Sequence, residues 1–289
     1  MWVSLLVQSD DGELARQSAT SILEVVTIAF IGAGVMGETL LAGFLSADVQ
    51  PTDVRIVEKN QDRTAHLTDT YGVTCTDLTT AVAGAEIVVL AVKPQDVTGV
   101  LEQISTFVSP DVLLISIAAG ITTGYLESFL PPSASVVRVM PNTPALLGEG
   151  MSVLSAGSNC DVDSLNTVVK LMATVGEVAI VPESDQDAIT AISGSGPAYI
   201  FYVAEAMIDA GVALGISPTL AHDLVVQTIF GAASMLRDST DSPEVLRQRV
   251  SSPNGVTVRA IESFDNNRVR EAFIEALQVA RARSEELGK

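Results

Sequence analysis

Cysteine and histidine are scarce in this chain of 289 residues, two of each. Cys75 and Cys160 cannot build a disulfide framework, and neither belongs to a CxxC pair. With His66 and His222 as the other candidate ligands, no Cys/His zinc site is expected, and all four residues read as structural. Basic residues are few as well: 16 Lys and Arg stand against 35 Asp and Glu, for a net charge of −19. Such a chain repels nucleic-acid phosphates and anionic membranes unless its basic residues cluster. No Lys/Arg-rich run occurs, so neither a nucleic acid nor a membrane is an expected partner. Long hydrophobic runs are also lacking. The best candidate, Ile87 to Val92, ends at Lys93-Pro94, short of the ~18 to 20 residues that span a bilayer. The first 26 residues have no basic n-region and are interrupted by acids, which argues against a secretory signal and for a cytoplasmic protein. Residues 1–26 read as a flexible extension or an overcalled start.

What is present is core material. Apolar residues make up 47% of the chain and charged residues 18%, which excludes wholesale disorder. The length suits two domains better than one. From residue 25 onward, short β-branched runs alternate with helical spacing. Strands are predicted at 25–31, 53–58, 86–92, 112–117 and 136–140. Helices are predicted at 38–46, 62–71, 97–107 and 125–130. This alternation implies an α/β fold, a doubly wound parallel sheet with right-handed crossovers. After about residue 185 only helical patterns remain, at 187–191, 198–214, 220–237, 244–250, 256–264 and 268–287. The change in pattern predicts a dinucleotide-binding domain over 27–183 and an all-α domain over 184–289. The helical half is so apolar, as in AYIFYVAEAMIDAGVALGI, that about 100 residues would struggle to bury it alone. Intertwined helical domains of a homo-oligomer are expected, against the alternative of a monomeric helical core.

Gly32-Ala33-Gly34-Val35-Met36-Gly37 directly follows the first strand and opens a helix, the context that gives GxGxxG its meaning. Gly32 allows the tight turn, Gly34 lets the backbone approach a pyrophosphate, and Gly37 lets helix and strand pack closely. The helix N-terminus then caps the anion. Dinucleotide choice is read at the end of the second strand, about 20 residues on. Glu58 there suits a free ribose 2′-hydroxyl, whereas Lys59, Asn60 and Arg63 suit a 2′-phosphate, so NADH and NADPH both stay open. Ala91-Val92-Lys93-Pro94 and Ala118-Ala119-Gly120 fall at the carboxyl edge of the sheet, where small residues leave room for ribose and nicotinamide. Lys93 also reads as a solvated loop lysine. Asn142, between Pro141 and Pro144, offers donors and an acceptor at the same edge or serves a rigid turn. Ser193 to Tyr199 (SGSGPAY) reads as a helix cap bordering a pocket. Ser251 to Thr257 (SSPNGVT) is a polar loop leading into a helix. Its hydroxyls and free N–H groups suit a small carboxylate, or an ordinary N-cap.

Taken together, these residues resemble the pyrroline-5-carboxylate reductase family. IGAGVMG (31–37), AVKP (91–94), AAG (118–120), MPNTP (140–144), DAITAISGSGPAY (187–199), AGVALG (210–215) and SPNGVT (252–257) occur in the family's order and spacing. The resemblance implies a Rossmann domain followed by a helical dimerisation domain. It also implies NADPH or NADH as cofactor, dimers that can assemble into decamers, and reduction of a cyclic imine to L-proline. By position it assigns the substrate carboxylate to Ser252, Asn254, Gly255, Val256 and Thr257. Thr257 would also contact the ring nitrogen, Glu183 would lie near bound product, and AVKP, AAG and Asn60 would line the cofactor. Two departures stand out. The loop usually reads SPGG, and Asn254 replaces a glycine that Asn imitates best if φ is positive. Glu58-Lys59-Asn60 also lacks the usual Asn/Ser-Arg pair for NADPH. A β-hydroxyacid dehydrogenase is disfavoured, since no Lys lies between Lys170 and Lys289. A non-catalytic dinucleotide sensor remains the other alternative.

Overall fold

A computed structural model of the chain describes residues 26–287 together with the short segments Leu5–Gln8 and Leu14–Ala15. The expectation of a flexible 1–26 extension otherwise lies outside the described residues. In chain order the strands and helices are β1 (Leu5–Gln8), β2 (Leu14–Ala15), β3 (Ile28–Ile31), α1 (Val35–Ser46), β4 (Val54–Val57), α2 (Gln61–Tyr71), β5 (Thr74–Cys75), α3 (Leu78–Val82), β6 (Ile87–Leu90), α4 (Val97–Ile104), β7 (Leu113–Ser116), α5 (Thr123–Glu127), β8 (Ser135–Met140), β9 (Gly150–Ala156), α6 (Val162–Met172), β10 (Gly176–Ile180), α7 (Gln186–Ile189), α8 (Gly196–Ala213), α9 (Pro218–Asp238), α10 (Pro243–Arg249), α11 (Val256–Asn266) and α12 (Val269–Leu287).

The sheet runs β2-β1-β10-β9-β8-β7-β6-β3-β4-β5. Its parallel block, β5-β4-β3-β6-β7-β8, has the Rossmann order, with the direction of winding reversing between β3 and β6. The sheet is not wholly parallel, as the sequence pattern implied: β9 runs antiparallel to β8, and β10 and β1 follow β9 in parallel. β3 and β6, at the centre of the block, are apolar throughout because both faces are covered. Ile28 and Phe30 join the core on one face with Leu40, Phe44 and Met172. Ala29 and Ile31 join the core on the other with Val97, Leu101 and Ile104.

The chain divides into two compact units. One runs to Gly194 and takes in the chain from Ala280 onward; the other is Ser195–Val279. The expected boundary near 183 lies inside the first unit. Gln186 is fully buried there and donates to the Val153 carbonyl and the Ser155 hydroxyl, and Ser284 of α12 donates to Asp187 at 2.7 Å.

The second unit is helical and leaves its apolar side chains bare. α8 buries none of its residues and α9 only Ala221 and Val225. Phe201, Tyr202 and Phe230 are each more than 60% exposed. A groove of about 750 Å³, lined among others by Tyr199, Met207, Phe264 and Phe273, runs between α8 and the α11–α12 region. A monomeric helical core, the alternative to an oligomer, does not form. Among the described residues α9 is also long and apolar enough, by length and composition, to cross a membrane. The absence of a long apolar run therefore holds only for uninterrupted stretches: His222, Asp223 and Gln227 break the run without making the helix polar on average.

Phe44 of α1 is fully buried and its ring lies 5.5 Å from that of Phe30. Phe44→Ala should remove about 3–5 kcal/mol from the first unit, through lost transfer energy and an unfilled cavity. Urea denaturation followed by circular dichroism would show this as a lower midpoint.

Candidate functional site

The turn between β3 and α1 lies at the carboxyl end of the sheet, where the winding reverses. Gly32 has φ of +87° and its N–H donates to Val57 at 2.9 Å. A Cβ at Gly32 would stand 2.8 Å from the Ala91 carbonyl oxygen, and one at Gly37 would stand 2.7 Å from the Gly32 carbonyl. Both glycines are thus required by close packing of α1, β3 and β6. Gly34 differs: a Cβ there would meet nothing within 4 Å, so the backbone faces open space. Gly34 is also the N-cap of α1 and supplies no side-chain cap, and the first intrahelical bond is donated by the Glu38 N–H. The N–H groups of Val35, Met36 and Gly37 precede it and have no partner within the helix. Open space before a bare twelve-residue helix start fits a pyrophosphate.

The other predicted cofactor residues fall along the same edge. Glu58 follows β4 directly, Ala91-Val92-Lys93-Pro94 follows β6, and Ala118-Ala119-Gly120 lies two residues after β7. Glu58 accepts the Ala33 N–H at 3.1 Å with one carboxylate oxygen and the Asn60 N–H at 2.9 Å with the other. The Asn60 side chain caps α2, accepting from the Asp62 and Arg63 N–H groups. Gly120 has φ of +78°, in the left-handed region that glycine adopts without strain.

Asn142 follows β8. Its amide donates to the Ser193 carbonyl at 3.2 Å and its oxygen accepts the Met151 N–H at 2.8 Å. The side chain thereby brackets the end of β8, the start of β9 and the turn before α8. Ser195 is the cap residue of α8 but makes no side-chain capping bond, so SGSG is held by backbone geometry.

Glu183 is engaged on both oxygens. It accepts from the Thr123 N–H and the Thr123 hydroxyl, each at 2.7 Å, and lies 3.4 Å from Arg138. Arg138 on β8 is 3% exposed and also faces Asp187 at 3.7 Å. Sequence reasoning missed Arg138 and Thr123. The signal was a single charge inside the apolar run VVRVM, and a buried Arg requires carboxylate partners.

Ser252 to Thr257 belongs to the helical unit and is built locally. Asn254 has φ of +59°, the left-handed region in which Asn stands in for glycine most readily. The Gly255 N–H donates to the Ser252 carbonyl at 2.9 Å. A Cβ at Gly255 would run into the Ser252 hydroxyl and carbonyl. Gly255 caps α11 without a side-chain bond, so the first N–H groups of that helix, from Val256 and Thr257, have no intrahelical partner. The loop therefore presents a second bare helix start flanked by hydroxyls.

Comparison with known proteins agrees with this arrangement. Residues 183–287 match the family model described as pyrroline-5-carboxylate reductase dimerisation, and residues 27–120 match that described as NADP oxidoreductase, coenzyme F420-dependent. The chain is 43% identical to a pyrroline-5-carboxylate reductase of Corynebacterium melassecola, over 92% of this chain and 100% of the relative. It is 41% identical to the Mycobacterium leprae enzyme of that name, over 90% and 96%. The solved pyrroline-5-carboxylate reductase of Coxiella burnetii superposes with a TM-score of 0.86 at 36% identity, covering 92% of this chain and 100% of that one. A Plasmodium falciparum pyrroline carboxylate reductase with NADP bound gives 0.82 at 31% identity, covering 91% and 98%. Similarity of this extent, spanning both the glycine turn and the helical unit, shows that the chain belongs to the pyrroline-5-carboxylate reductase family.

Proposed function

We propose that this chain is an NAD(P)H-dependent oxidoreductase that reduces the cyclic imine of L-pyrroline-5-carboxylate to L-proline, the last step of proline biosynthesis. The observation that carries the reading is the 43% identity over the full length of a curated reductase. The geometry supports it, because an uncapped helix start behind Gly34 is suited to the dinucleotide and a second one behind Gly255 to a small carboxylate.

NAD(P)H, when bound, supplies the hydride. The chain's own residues position and neutralise. Gly32, Ala33, Gly34, Val35, Met36 and Gly37 offer the pyrophosphate backbone donors, which matters in a chain of net charge −19. Glu58, Lys59 and Asn60 would border the adenosine ribose. Ala91, Val92, Lys93 and Pro94, with Ala118, Ala119, Gly120 and Asn142, would border the nicotinamide half. Ser252, Asn254, Gly255, Val256 and Thr257 would hold the substrate carboxylate, and the Thr257 hydroxyl would hydrogen-bond the ring nitrogen. Glu183 would stand near the product. A protonated imine accepts hydride readily, so holding the reacting carbons together supplies most of the rate, on the order of 7–11 kcal/mol of effective molarity.

The same reading assigns 27–183 to dinucleotide binding and 184–289 to dimerisation and substrate binding. It makes the protein a cytoplasmic homo-oligomer, a dimer able to build decamers, with no membrane or nucleic-acid partner. The dimerisation match over α9 supports protein rather than lipid as the cover of that helix.

The test is a paired assay of pyrroline-5-carboxylate with NADPH or NADH, following nicotinamide oxidation and L-proline together. Matching proline formation is expected; none from folded, oligomeric protein would sink the reading. Thr257→Ala should lose about 10²-fold in kcat, the low end for a positioned proton donor. Near wild-type turnover would remove Thr257 from the chemistry. Gly255→Ala, by pushing the Ser252 hydroxyl aside, should lose about 10²-fold in kcat/KM for the imine, as a displacement of roughly 1 Å does. Isothermal calorimetry on the same variant should find dinucleotide binding retained.

A further inference from the structure

NADH and NADPH differ only at the ribose 2′ position, and the turn at that end carries more than its motif discloses. Glu58 is anchored there by the Ala33 and Asn60 N–H groups. A carboxylate so placed accepts from a ribose diol and repels a phosphate. A 2′-phosphate could be tolerated if a nearby cation were free to face it, and Arg63 on α2 is the natural candidate. It is not free. Its Nε donates to the Ala33 carbonyl at 2.9 Å, its Nη2 donates to the same oxygen, and Nη2 also pairs with Glu38 at 2.7 Å. Glu38, on the first turn of α1, further accepts from Tyr71 at 3.2 Å and lies 2.9 Å from His66. Burial raises the Glu38 carboxyl, but the bonds from His66, Arg63 and Tyr71 outweigh it and hold the group below the usual carboxylate range. The carboxylate therefore stays ionised and cancels the guanidinium charge. Of the other two candidates, Asn60 is committed to capping α2, and Lys59 stands exposed to solvent, where salt screens its charge.

We infer that this chain prefers NADH, and that Glu38 is a positioning residue for that preference: it ties Arg63 back against the glycine turn, leaving Glu58 to set the charge at the ribose. The inference rests on the reading that a dinucleotide occupies this turn. It predicts an asymmetric response. Neutralising Glu58 removes repulsion. Neutralising Glu38 leaves the Arg63 charge uncompensated beside the turn. Both favour the phosphorylated nucleotide, the second only while Arg63 is present.

The experiment has two arms, both on the full-length oligomer. Steady-state kinetics with pyrroline-5-carboxylate give the ratio of kcat/KM for NADH to that for NADPH. Competition calorimetry with 5′-ADP and 2′,5′-ADP gives the same discrimination without turnover. Wild type should favour NADH by about tenfold or more, the size of one charge contact near a protein surface. Glu58→Gln and Glu38→Gln should each cut the ratio by about tenfold, with tighter 2′,5′-ADP binding and little change for 5′-ADP. Glu38→Gln/Arg63→Ala should lose the gain made by Glu38→Gln. A wild-type preference for NADPH and 2′,5′-ADP overturns the inference. So does a Glu38→Gln variant that weakens both nucleotides alike, since that marks a purely structural role. If neither dinucleotide supports reduction, the reductase reading fails, while the calorimetry still decides the nucleotide preference.

Discussion

At the switch point of the sheet, β3, β6 and α1 approach so closely that only backbone fits between them. The distances that a Cβ would reach, 2.8 Å from Ala91 at Gly32 and 2.7 Å from Gly32 at Gly37, leave no slack. This packing aims the start of α1 at the crevice beyond the strand ends. It also explains how so acidic a chain can be built to hold an anion. Fixed N–H dipoles at a helix start need no counter-ion and are not cancelled by distant carboxylates beyond a Debye length of about 8 Å at physiological salt. The electropositive groups of the turn are backbone N–H dipoles rather than charged side chains.

The legibility of the first unit follows from where its surfaces are buried. Strands covered on both faces read as unbroken apolar runs, so Ile28–Ile31, Ile87–Leu90 and Leu113–Ser116 could be placed to within a few residues. The segment from Gly150 to Ile180 escaped notice for the converse reason. β9 places Ser152 and Ser155 at zero exposure inside its run, and β10 is short and half-exposed, so neither shows a clean period. The antiparallel step at β9 is invisible in composition. The glycine turn and the SPNG loop were readable because each depends on backbone freedom, which only Gly and Asn advertise. The bonds around Glu183 were not, because its partners lie 45 and 60 positions away and only folding brings them together.

The helical unit shows the limit of a hydrophobicity argument. Its apolarity announced that something must cover it, and the bare faces of α8 and α9 agree. Average hydropathy cannot say whether the cover is lipid or protein: α9 passes the length and composition test for a membrane helix. The distinction lies in pattern. His222, Asp223 and Gln227 fall within the first half of α9, where lipid would desolvate them, a cost that the 3.2 Å contact of His222 with Asp223 offsets only for that pair. The dimerisation family match supplies the protein alternative.

Arg138 is the counterpart of the glycine turn, a charge where the sequence period demands an apolar residue. Placing a guanidinium at 3% exposure on β8 costs several kcal/mol of hydration, and only opposed charges with good geometry offset it. Glu183 and Asp187 supply the opposed charge from one side, at 3.4 and 3.7 Å, while Arg138 Nη2 itself makes no hydrogen bond. Each is secured in turn, Glu183 by Thr123 at the start of α5 and Asp187 by Ser284 near the end of α12. The cluster therefore joins four elements far apart in sequence, and none of its members can be exchanged singly. Removing one carboxylate leaves a buried cation under-compensated, which costs more than the pair contributes when intact. The orientation of the Glu183 carboxylate is thus set by the fold, through Thr123 and Arg138, before any ligand arrives.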